Sequence, residues 1–147
     1  MNYILDTCVI SELIKKDPDK NVMKWISGID ESALFISVIS IGEIIKGIEK
    51  PTGSQRKDNL IGWVNNDLKE RFQNRIVPFE LGSAAVWGRV QAKSENIGKP
   101  LPAIDGMIAS TGIANNMAIA TRNIADMKES GAVLYNPWIG EYKNLPK

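Results

Sequence analysis

The feature that most constrains this chain is a repeated hand-over from a short apolar run to a stretch with helical spacing. Tyr3-Ile4-Leu5 ends in Asp6-Thr7, and Val9, Ile10, Leu13 and Ile14 follow at helical intervals until Asp17-Pro18-Asp19. A second stripe, Val22, Trp25, Ile26 and Ile29, precedes the apolar run over 33–38. Ile41, Ile44, Ile45 and Ile48 then recur at the spacing of one buried helix face. Residues 50–54 break the chain, and an amphipathic helix is predicted over 55–72, with Leu60, Ile61, Val64, Leu68 and Phe72 inward. Residues 75–79 read as a short strand whose Pro78 assigns it an outer position. A helix over 81–95 follows, its small residues Ala84, Ala85, Gly88 and Ala92 permitting close packing. After the loop 98–102 come a helix over 103–115, a strand over 117–120, a short helix and a strand over 133–135. Strands alternating with helices predict an α/β fold with a mostly parallel sheet. No linker or repeat interrupts the pattern, so residues 1–138 read as one domain and 139–147 as a loose C-terminal tail.

Composition removes several function classes. A length of 147 residues is about one domain, and 44% apolar with 24% charged residues excludes disordered, collagen-like and disulfide-scaffold chains. Lys plus Arg is 18 and Asp plus Glu is 17, so any nucleic-acid site must be a local patch. The histidine count of zero removes Ser-His-Asp and Cys-His machinery, HExxH metal sites and every histidine base. The single cysteine, Cys8, excludes an internal disulfide and reads as a buried, inert thiol. Carboxylates, Lys, Tyr or a metal must therefore do any chemistry. The N-terminus lacks a basic n-region, and no apolar run nears the ~18 residues of a membrane span, so a cytoplasmic, soluble protein is expected.

Four acids fall where helices begin. Asp6 ends the first strand, Glu43 is expected in the first turn after the second, Asp105 starts the helix after Pro102, and Asp126 follows Thr121-Arg122-Asn123. In a parallel sheet all four are directed to one edge, where ligands bind. Each has an ordinary explanation. Ser40-Ile41-Gly42-Glu43 fits a capping box, Asn123 to Asp126 resembles one, Asp6 can cap its helix, and Asp105 complements a helix dipole. Capping does not require acids at every helix start along one edge, however. Four converging carboxylates repel, and a cation resolves the repulsion. Oxygen-only ligands suit Mg²⁺ or Mn²⁺ rather than zinc.

These segments, taken in order, resemble PIN-domain ribonucleases, most closely VapC-type toxins of toxin–antitoxin pairs in the FitB-like branch. The resemblance rests on Ile4-Leu5-Asp6-Thr7 with Ser11-Glu12, on 37–44 followed by Lys46-Gly47-Ile48, on Pro100-Leu101-Pro102 and Ile104-Asp105-Gly106, on Thr121-Arg122-Asn123 with Asp126, and on Asn136-Pro137-Trp138. It implies a three-layer α/β/α fold and an endoribonuclease that hydrolyses phosphodiester bonds with metal-activated water. Asp6, Glu43, Asp105 and Asp126 match the family's catalytic, metal-binding acids. Thr121 and Asn123 match supporting polar residues, and Thr7 borders the site. Arg122 is the best candidate for RNA contact, ahead of Lys15, Lys46 and Lys50. The resemblance also implies a homodimer and a small cognate antitoxin lying in a groove framed by the early helices.

Other acid-centred readings fit less well. A haloacid-dehalogenase-type phosphatase needs a second Asp at the position of Cys8, and no P-loop or GxGxxG is present. The alternative of a different class is a non-catalytic RNA-binding or interaction module that keeps the fold.

Overall fold

The structure, a computed structural model, describes residues 1–50 and 60–147. The chain break expected over 50–54 lies, beyond Lys50, outside the described residues, as does the start of the helix expected from Gln55. The described strands form one sheet: β1 (Tyr3–Leu5), β2 (Leu34–Ser37), β3 (Ile76–Val77), β4 (Ala118–Ala120), β5 (Leu134–Asn136) and β6 (Glu141–Lys143). Their order is β3-β2-β1-β4-β5-β6. The first five are parallel, and β6 runs antiparallel to β5. As Pro78 predicted, β3 lies at an edge.

Side-chain alternation splits the interior into two cores. Tyr3, Leu5, Leu34 and Ile36 face one, while Ile4, Ile119 and Leu134 face the other. Because both faces are covered, the central strands read as unbroken apolar runs. The first core is closed by α1 (Thr7–Leu13), α2 (Lys20–Gly28) and α3 (Val38–Glu49). A segment that is π-helical over Trp63–Leu68 and continues as α4 (Lys69–Arg71) completes that layer. The second core is closed by α6 (Ala103–Ala114) and α7 (Ile124–Met127), with α5 (Leu81–Asn96) packed along α6. The result is the three-layer α/β/α arrangement. Ile4, Leu5, Ile36 and Ile119 are fully buried. Each contributes roughly 1.5–3 kcal/mol, against about 0.3–1 for a charge at a helix end. The sheet, not the acids, fixes where the edge lies.

Register aligns that edge. Leu5 stands opposite both Ile36 and Ala120, so the next residues, Asp6, Ser37 and Thr121, emerge at one level. The chain winds outward from β1 to β3 on one side, and β4 and β5 lie on the other. The order therefore reverses between β1 and β4, the crevice where α/β sheets bind ligands. Asp6 N donates to Ala120 O (2.9 Å) and extends the ladder to the crevice mouth.

Several expectations are corrected. The segment expected to trail as a loose end pairs with β5 through β6, and Tyr142 packs on Tyr135 with centroids 4.6 Å apart. The capping box does not form: α3 starts earlier, Ser37 caps it by accepting from Ile39 N (3.0 Å), and Ser40 Oγ is buried without a partner among the described residues. Of Ile41, Ile44, Ile45 and Ile48, expected on one buried face of α3, only Ile48 is fully inside, and Ile45 is exposed. Ala84, Ala85, Gly88 and Ala92 of α5 are exposed; that helix buries Ser83 and Ser94 and half-buries Val86, Trp87, Val90 and Gln91. Close approach is needed on α6. A Cβ on Gly112 would lie 2.5 Å from Ile119 Cδ1 and 2.9 Å from Met117 O, so α6 seats directly on β4 there. Among the described residues, no helix is long and apolar enough to cross a membrane.

Candidate active site

The site is built from the carboxyl ends of β1 and β4. Asp6 is 2% exposed. Its Oδ1 accepts from Thr7 N (2.8 Å), which makes Asp6 the N-cap of α1. Its Oδ2 accepts from the Thr121 hydroxyl (2.7 Å). Thr121 is fully buried and is itself oriented by Asn123 N, which donates to Oγ1 (2.9 Å). Asn123 thus serves through its backbone.

Glu43 arrives from α3, one turn later than expected. The Thr7 hydroxyl donates to Glu43 Oε1 (2.7 Å), so one threonine ties Asp6 and Glu43 together, the first by its N–H and the second by its side chain. Asp105, in the first turn of α6, and Asp126, in the first turn of α7, find no hydrogen-bond donor for their side chains among the described residues. Neither is a cap.

Electrostatics connect the four. Burial pushes the Asp105 carboxyl up to about 6, and the charges of Asp6, Asp126 and Glu43 push in the same direction. Burial also raises Asp6. The bonds from Thr121 and Thr7 oppose that rise, and Glu43 adds to it. The acids therefore share one field across the crevice. They do not collapse into a cage: among the described residues, no three His, Cys, Asp or Glu side chains are grouped tightly enough to enclose a metal ion. Asp126 is the outermost and lines a shallow cleft with Pro100 and Pro102. On the Glu43 side, a groove of about 500 Å³ opens between α1 and α3, lined by Thr7, Ser11, Ile14, Glu43, Ile44 and Leu60.

Two residues at the site carry no functional assignment from sequence. Cys8 is half-buried and donates to Asp6 Oδ2 (3.7 Å) while its sulfur accepts from Arg122 N (3.4 Å). Burial and the Asp6 charge push its thiol up to about 11, so it stays protonated and inert, as its apolar run predicted. Glu12 is 5% exposed, and its carboxylate accepts from Lys15 Nζ (2.9 Å) and Asp19 N (2.9 Å), fixing the turn into α2. Its signal was an acid on the apolar face of α1, between Ile10 and Leu13. Of the basic candidates, Lys15 is engaged with Glu12, Lys46 is exposed on α3, and the Arg122 guanidinium lies over the Trp138 ring, 5.0 Å from its centroid.

Comparison with known proteins agrees with this architecture. A family model described as PIN domain matches residues 3–129. The chain is 30% identical to VapC ribonuclease Y4jK of Sinorhizobium fredii over 135 residues, covering 92% of this chain and 96% of that protein. It is 27% identical to Toxin FitB of Neisseria gonorrhoeae, covering 92% and 97%. The crystal structure of FitAcB from Neisseria gonorrhoeae superposes with a TM-score of 0.86 at 27% identity, covering 92% of this chain and 98% of that one.

Proposed function

This chain belongs to the PIN-domain family, and from that premise we propose that it is a metal-dependent endoribonuclease of the cytoplasm, the toxin of a toxin–antitoxin pair. One observation carries the reading: the charges of Asp6, Asp126 and Glu43 all act on Asp105 at the sheet's switch point. An all-oxygen donor set under unrelieved like charge fits Mg²⁺ or Mn²⁺. Asp6, Glu43, Asp105 and Asp126 would hold the ion. When bound, it supplies Lewis acidity at a phosphodiester oxygen and lowers the pKa of a water molecule, chemistry that needs no histidine.

The chain's own groups prepare the site. Thr7 holds Asp6 and Glu43 in fixed relation, and Thr121, oriented by Asn123, holds the second oxygen of Asp6. Arg122 offers positive charge to the RNA backbone. The ribonuclease name of the Sinorhizobium fredii relative and the toxin name of the Neisseria gonorrhoeae relative support substrate and role. The groove between α1 and α3 receives a segment of the small cognate antitoxin, which blocks the approach to Glu43. Exposed Val38 and Ile45, two turns apart on α3, give a second copy of the chain an apolar surface to cover in a homodimer.

Full-length protein freed of antitoxin should cleave members of a structured-RNA panel with Mg²⁺ or Mn²⁺, and stop in EDTA or on Asp6→Asn. Cleavage undiminished in EDTA contradicts the cation. RNA binding without cleavage of any panel member would support the non-catalytic RNA-binding or interaction module.

A further inference from the structure

Arg122 is placed unlike a structural arginine. It follows Thr121, whose hydroxyl holds Asp6, so its backbone lies directly beside the residue that supports the acid cluster. It is exposed, and among the described residues its guanidinium makes no ion pair or hydrogen bond. The carboxylate whose field it most clearly shares is that of Glu12. Both oxygens of that carboxylate are already taken, by Lys15 Nζ and Asp19 N. What fixes Arg122 is its backbone bond to Cys8 Sγ and the Trp138 ring beneath its guanidinium.

Trp138 is built to be an immobile base for that stack. It is 8% exposed, its N donates to Asn136 Oδ1 (2.9 Å), and its carbonyl accepts from Asn21 Nδ2 (2.9 Å). Beyond it a groove of about 450 Å³ continues past Trp25, Ile29 and Tyr135, with Lys24 at its rim. A planar cation stacked on an indole, with unused N–H donors at its edge, matches the chemistry of an unpaired nucleotide. Its face stacks on a base, and its edge binds a phosphate.

We propose that the Arg122–Trp138 stack is the platform for the nucleotide flanking the scissile bond, Arg122 stacking on an unpaired nucleobase and Trp138 acting as the positioning residue beneath it. The proposal rests on the ribonuclease reading above and adds where the substrate is gripped.

The test uses the full chain in metal-free buffer and two labelled probes of equal charge, a short single-stranded oligoribonucleotide and its abasic ribose-phosphate counterpart. Wild-type protein should prefer the base-bearing probe by about tenfold, the scale of one stacking contact. Arg122→Lys keeps the charge and loses the flat face, so it should abolish that preference while retaining binding to the abasic probe. Trp138→Leu should do the same, and Trp138→Phe, which keeps an aromatic support, should restore much of it. In cleavage assays the Arg122→Lys loss should fall on KM more than on kcat. If Arg122→Lys keeps the full preference, or wild-type protein does not distinguish the probes, the platform is wrong although the nuclease stands. If wild-type protein neither binds nor cleaves any RNA, the nuclease reading falls and the platform with it.

Discussion

Asp6 caps α1 and at the same time faces the field of Glu43, and the two roles need different things from it. Thr121 reconciles them by donating to the oxygen the cap does not use. Thr121→Val keeps the shape and removes that donor from a buried carboxylate, so it should cost about 1–3 kcal/mol in denaturant unfolding at neutral pH. Asp105 has no such support. Burial and its three acidic neighbours raise its pKa from 3.8 to about 6. Folded protein therefore holds a proton there that the unfolded chain has released, and this occurs between those two values. Stability from this group is retained below the lower value and lost as pH rises through the upper one. In metal-free buffer, Asp105→Asn should match wild type in melting temperature near pH 4 and exceed it increasingly up to pH 7. A simple helix-dipole role predicts the opposite sign at neutral pH, a loss of about 0.3–1 kcal/mol. Melts across that range separate the two.

At the scale of elements, β1, β2 and β4 were legible because burial on both faces leaves apolar runs with no polar alternative. Their polar C-terminal neighbours marked the edge, so Asp6 and Thr121 were legible as well. β6 was not, because Glu141, Tyr142 and Lys143 are exposed and the strand is made by backbone pairing to β5. The start of α3 was misplaced because Ser37 and Ser40 offer equivalent cap chemistry, and only the end of β2 decides between them. That choice has a measurable signature. Ser37→Ala removes the working cap and should cost about 0.5–2 kcal/mol. Ser40→Ala removes a buried hydroxyl that has no partner among the described residues, so it should be neutral or stabilising. A capping box at Ser40 would reverse the pair. Cys8 escaped functional assignment because its partner Arg122 comes from a segment that only the folded chain brings beside it, and Glu12 because one of its partners is the backbone N–H of Asp19, beyond the end of α1.

For the whole molecule, the sheet order sets the location of the chemistry before any acid is considered. The reversal between β1 and β4 opens a crevice, and helices that begin along it deliver Glu43, Asp105 and Asp126 to the strand end that carries Asp6. A net charge of +1 gives no global attraction for RNA, so the proposed substrate has to be held by local groups, of which Arg122 is the proposed one. Folding here leaves like charge unrelieved, and a ligand that binds only the folded site should stabilise it by mass action. The most direct measurement is calorimetric titration of the metal-free full-length protein with Mn²⁺ at pH 7, repeated on Asp6→Asn and Asp105→Asn. A cation site built from these acids predicts saturable binding to the parent and weakening of about tenfold or more in each variant, the cost of losing one charged ligand of several. A parent that binds no Mn²⁺ or Mg²⁺, or variants that bind as tightly as the parent, would contradict it.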